Sequence, residues 1–102
     1  MRLATLRILR GERAGERVPL ERERFVLGRS RQVTDLTIRD ERVGRQHCLI
    51  ERRADGHWLV AFHAALAPLV NGRRVDQDAS ALLHHGDVIE IGEASFAFEE
   101  IA

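Results

Sequence analysis

The feature that most narrows the possible folds is the closeness of the turn signals. Gly11 to Gly15, Ala54-Asp55-Gly56, Asn71-Gly72, His84-His85-Gly86-Asp87 and Gly92-Glu93 punctuate the chain, and the apolar residues between them alternate. Period-two alternation in runs of four to eight residues is the mark of half-buried strands. Ala4, Leu6 and Ile8 share a face, as do Ile89 with Ile91 and Phe96 with Phe98. Residues 17 to 20 read as a short return strand in which Pro19 prefers an edge. Residues 24 to 27 form a strand that stops at Gly28, and residues 35 to 38 form another. An Asp-Gly pair between the runs 46–53 and 57–62 predicts a hairpin. On its first strand Cys48 and Ile50 share a face; on its second Trp58, Val60 and Phe62 do, which predicts a buried Trp58. Leu69 and Val75 flank the Asn71-Gly72 turn, and residues 76 to 81 read as a polar loop before Leu82 and Leu83. With no amphipathic helix, these strands predict an antiparallel β-sandwich or barrel.

The chain has 102 residues, enough for one domain (1–102) with a single core. Sixteen arginines balance sixteen carboxylates, so no long-range field gathers nucleic acid or an anionic membrane. Every basic residue is Arg, which fits a GC-rich, bacterial coding bias. The one cysteine, Cys48, forms no internal disulfide and suits a reducing compartment. Its place in an apolar run marks it as a small buried hydrophobe rather than a nucleophile. The opening MRLATLRILRG resembles neither a signal peptide nor a membrane span, so the expected location is the cytoplasm, without membrane insertion.

Residues 28 to 47, GRSRQVTDLTIRDERVGRQH, carry the candidate chemistry. Two turns each set an arginine beside a glycine: Gly28-Arg29-Ser30 and Gly44-Arg45. Arginine's planar fork matches phosphate or carboxylate, and glycine lets an anion approach backbone amides. The residues alone leave open whether these cations grip one anion or are simply solvated. Five histidines show no four-ligand zinc spacing, so no metal and no cofactor is expected. His47 and Cys48, as strand neighbours, face opposite ways and make no thiol dyad. No catalytic motif is present, and no enzyme is expected. Arginines interleaved with glutamates at 21–24, without tyrosine, argue against a nucleic-acid surface.

The ordered set Leu27-Gly28-Arg29-Ser30, Asp35-Leu36, Val43-Gly44-Arg45-Gln46-His47, Val70-Asn71-Gly72, Gly86-Asp87 and Ile91-Gly92 resembles the forkhead-associated (FHA) domain over residues 3 to 100. The resemblance implies an eleven-stranded β-sandwich that binds phosphothreonine peptides through loops at one end, without catalysis. It implies a binding end built from Arg29, Ser30, Gly44, Arg45, Leu66 and Asn71. Arg29 would contact the phosphopeptide, Arg45 would lie beside the phosphate, and His47 would hold the loop in shape.

Two positions depart from the family pattern. Gly44 stands where a serine hydroxyl donates to the phosphate, and Leu66 where an asparagine pins the peptide main chain. Ala61-Phe62-His63 likewise replaces Asp-Leu-Gly. A hydrogen bond to a charged group contributes about 1.5 to 3 kcal/mol, or roughly tenfold to a hundredfold in affinity. The Gly44 amide could offset part of the loss by pointing at the anion from a nest. Residues 61 to 70, AFHAALAPLV, either expose an apolar contact patch or fold inward. The expected function is an FHA-type interaction module with weakened or lost phosphothreonine recognition. Its partner would be a protein met through the loop end, a phosphothreonine protein or a second copy of the chain. The alternative is a working phosphothreonine reader in a bacterial kinase signalling or secretion pathway.

Overall fold

The computed structural model describes residues 3–62 and 65–101. These form eleven strands and no helix: β1 (Leu3–Ile8), β2 (Arg17–Pro19), β3 (Arg24–Gly28), β4 (Leu36–Thr37), β5 (Cys48–Arg53), β6 (Gly56–Ala61), β7 (Leu69–Val70), β8 (Arg73–Arg74), β9 (Ser80–Leu82), β10 (Val88–Ile91) and β11 (Ala94–Ile101). One sheet runs β2-β1-β11-β10-β7-β8 and the other β4-β3-β5-β6-β9. The predicted sandwich is therefore present. All its strand pairs are antiparallel except β3 with the two-residue β4, which pair in parallel. The end of the stretch expected to be a polar loop, Ser80 and Ala81, instead joins Leu82 in an edge strand on β6.

The core lies between the sheets, where the alternation placed it. Leu6, Ile89, Ile91 and Phe98 from one sheet meet Leu27, Cys48, Ile50 and Leu59 from the other. Each is essentially removed from water, and burying a large apolar side chain contributes about 1.5 to 3 kcal/mol.

The hairpin β5–β6 corrects the expectation for Trp58. Arg53 pairs with Gly56, so the turn residues are Ala54 and Asp55, and Gly56, at φ +140°, belongs to the returning strand. Cross-strand partners point the same way, and a one-residue shift exchanges the faces. Ile50 opposite Leu59 and Cys48 opposite Ala61 therefore bring Leu59, Ala61 and His57 inward. Trp58 is half-buried on the outer face. Its Nε1–H donates to Asp55 Oδ1 (2.8 Å), and the Arg53 guanidinium stacks 4.9 Å above its ring. His57 takes the inward place against the Phe98 ring (5.4 Å between centroids), where burial pushes its pKa down.

Candidate functional site

At the end of β3 the chain has no side chain at Gly28, and the loop before β5 closes over it. A Cβ there would strike the carbonyl oxygen of Arg45 and lie 2.8 Å from its carbon and 2.9 Å from Gly44 O. Three backbone bonds lock this contact: Arg29 N–H to Gly44 O (2.9 Å), Ser30 N–H to Arg45 O (3.2 Å) and His47 N–H to Leu27 O (2.8 Å). The two glycine-arginine turns expected to face one anion are thus adjacent. Arg29 donates through Nε to Val43 O (3.1 Å), which fixes its stem and leaves the outer edge of the fork available. Arg29 and Arg45 are both exposed, and neither has a carboxylate partner among the described residues. The half-buried Ser30 has a hydroxyl without a hydrogen-bond partner among the described residues, while its carbonyl accepts from Thr34 Oγ1 (2.7 Å).

His47 is fully buried beneath this pair. Its Nδ1 accepts from the Gly44 amide (2.8 Å), which puts the ring proton on Nε2, and Nε2 donates to Leu66 O (2.6 Å). The imidazole thereby ties the loop carrying Arg45 to the loop following β6. The bond has a cost for the anion site. The Gly44 amide is held by His47, and Gly44 is not among the glycines with positive φ, so the expected compensating nest is not formed.

Leu66 serves through its carbonyl, while its side chain packs against the core. Its segment turns inward, which decides between the two readings of residues 61 to 70. Ala61, Ala67 and Pro68 are buried, Val70 packs on the core, and only Ala65 among the described members is exposed. His63 and Ala64 lie outside the described residues. The apolar stretch is core lining rather than a contact patch.

The structure does not bring Asn71 to this end. Its amide group donates to Asp87 Oδ1 and accepts from Val88 N–H (both 2.8 Å). Those partners stand where β10 begins. The site lies beyond the other end of β10, roughly 10 Å along the strand, where the Gly92-Glu93 turn meets Asp40.

Asp40 is a structural residue of the loop between β4 and β5. Its carboxylate accepts from the Arg42 amide (3.0 Å), the Arg42 guanidinium (2.9 and 3.1 Å) and the Glu93 amide (3.0 Å). The Arg42 hydrogen bonds hold its pKa well below the usual carboxylate range. An Asp whose oxygen takes the amide two residues on is an Asx-turn, and Asp40-Glu41-Arg42 after a short strand carries that signal.

Cys48 is wholly buried, and desolvation pushes its thiol up to about 12. Only the thiolate reacts, so the native protein is expected to resist a thiol reagent that labels it fully in denaturant. Fast labelling of the native state would contradict this burial. Among the described residues no three His, Cys, Asp or Glu side chains form a group that could hold a metal. No helix there is long and apolar enough to cross a membrane.

The architecture matches solved FHA domains. A structure from a study of phosphothreonine-dependent FHA domain interactions aligns at TM-score 0.83 with 23% identity, covering 98% of both chains. The FHA domain of an Arabidopsis thaliana hypothetical protein aligns at 0.89 with 22% identity, over all of this chain and 88% of that one. That of the Chlamydia trachomatis CT664 protein aligns at 0.85 with 22% identity, over 98% and 99%. None of the curated proteins compared with the chain matches it. Residues 7–102 match the family described as the inner membrane component of T3SS, cytoplasmic domain. With that match spanning almost its whole length and eleven strands in the FHA arrangement, the chain belongs to this family of FHA-type domains.

Proposed function

We propose that this domain is a non-catalytic protein-interaction module of the cytoplasm whose loop end takes a phosphothreonine segment of a partner protein, with weakened affinity. The observation that carries the reading is the juxtaposition of Arg29 and Arg45. Both are exposed and free of carboxylates among the described residues, on loops fixed by Gly28 and His47. Two guanidinium groups carried on adjoining loops with fixed backbones suit a dianionic ester. Similarity to a structure from work on phosphothreonine-dependent interactions supports the same ligand class.

Weakness follows from the missing donors. Residue 44 has no hydroxyl, its amide is held by His47, and Leu66 offers the ligand no polar side chain. Each lost charged hydrogen bond lowers affinity by about tenfold to a hundredfold. The inward packing of the described residues of 61 to 70 withdraws the support for a phosphate-independent apolar contact there. The family's description as an inner membrane component of T3SS supports a setting at a secretion apparatus.

Calorimetric titration with a phosphothreonine peptide and its unphosphorylated twin tests the reading. Binding is expected only with phosphate, and Arg29→Ala is expected to weaken it by about tenfold or more. Equal binding of the two peptides, or an unaffected Arg29→Ala variant, would refute it.

A further inference from the structure

Resting on the anion-binding reading above, we infer that the same end recognises carboxylates flanking the anchored group, so that its partner is an acidic peptide segment read by Arg31 and Arg39. The inference comes from how charge is distributed in a chain with no net charge. On the sheets most arginines are neutralised where they stand: Glu99 takes Arg7 and Arg17, and Glu51 takes Arg24 and Arg53. At the loop end Arg42 is held by Asp40, but the arginines around it are not neutralised. Among the described residues Arg29, Arg31, Arg39 and Arg45 are all exposed and none has an ion-pair partner.

The carboxylates nearby are occupied, apart from the exposed Glu41. Asp35 accepts from Arg22 and the Val26 amide, and Asp40 holds Arg42 with Glu93 beside it. Among the described residues the two other arginines without an ion pair, Arg52 and Arg73, stand apart from each other on β5 and β8 of different sheets.

Backbone bonds gather the four cations. Arg31 follows Ser30 in a turn closed by Val33 N–H on Ser30 O (3.3 Å), and Ser30 N–H is bonded to Arg45 O. Arg39 follows Ile38, whose N–H donates to Gly28 O (2.7 Å), immediately before Arg29. A compact, largely uncompensated cationic surface favours carboxylates over water most strongly when several lie in one ligand. Nucleic acid is disfavoured because the one tryptophan is on the outer face of β6 and is already covered by Arg53.

The experiment compares three peptides and a single-stranded oligonucleotide by fluorescence anisotropy at low salt, the peptides being phosphothreonine with Asp/Glu flanks, phosphothreonine with neutral flanks, and the acidic sequence without phosphate. Acidic flanks are expected to tighten binding about threefold to tenfold, and high salt should erase the gain. The double variant Arg31→Ala/Arg39→Ala, with its fold checked by thermal melting, should lose the gain and still bind the neutral-flank peptide as before. Equal affinity for both flanks, or a gain that survives the double variant, overturns the inference while leaving phosphate recognition intact. A flank gain lost in the double variant but independent of phosphate supports the inference and refutes phosphothreonine as the anchor. Tighter binding of a single-stranded oligonucleotide than of any peptide, or no binding at all, overturns it.

Discussion

Gly28→Ala is expected to destabilise the domain by about 3 kcal/mol and to abolish anion binding. The substitution meets no backbone strain, because Gly28 is not among the positive-φ glycines. Its cost is steric. The added methyl group runs into the Arg45 carbonyl and crowds Gly44 O, and both are main-chain atoms that no rotamer change can move aside. Relief requires the 44–45 segment to lift, and lifting it breaks the bonds from Arg29 N–H and Ser30 N–H. It also separates Arg29 Nε from Val43 O, so the Arg29 side chain loses its tie to the loop that carries Arg45. For a domain of this size the loss corresponds to a melting temperature lower by roughly 12 to 24 °C. Thermal melting followed by the phosphopeptide titration checks both halves. A variant within about 1 kcal/mol of the parent, with affinity intact, would show that the loops do not depend on this contact.

How much of this was legible in the sequence depended on whether side chains or backbone carry the structure. Alternation read the inward residues correctly at Ile89 and Ile91, whose neighbours Val88 and Glu90 are less buried, and also at Leu6, Ile8, Phe96 and Phe98, although Thr5, Ser95 and Ala97 on the opposite face are buried as well. Asn71-Gly72 gave its hairpin because both residues adopt positive φ (52° and 83°), a conformation few other pairs accept. Asp55-Gly56 misled by one place, since Gly56 uses its positive φ inside the strand, and that single step exchanged Trp58 for His57 in the interior.

The site was legible to the extent that it is made of ordered glycines and arginines. The Arg29 and Arg45 turns meet because Gly28 permits the close approach, and His47 holds the second turn through the Gly44 amide. What stayed hidden was main-chain work. Leu66 contributes a carbonyl, Gly44 an amide directed at His47, and no side-chain identity announces either. Asn71 shows the converse: the resemblance implied a binding role, but spacing along the chain did not say which end of β10 it would occupy.

His47→Ala is the second large effect, and its graded variants separate the two bonds of the imidazole. Removing the ring deletes the acceptor for the Gly44 amide and the donor for Leu66 O, and leaves a void at a fully buried position. An unpaired buried polar group costs about 1 to 3 kcal/mol, and the cavity adds to it. Gly44 and Leu66 are half-buried and regain some hydration, so a total near 3 kcal/mol is expected. Asn at 47 can place an acceptor where Nδ1 stood, and Gln can place a donor where Nε2 stood. Each should therefore recover about half of the loss. The binding data should split the same way. Asn keeps the Gly44-Arg45 turn in place and is expected to retain more affinity for the phosphopeptide than Gln, which restores only the distant tie to Leu66. Equal affinity of the two variants, or an alanine variant as stable as the parent, would show that the imidazole fills space without positioning Arg45.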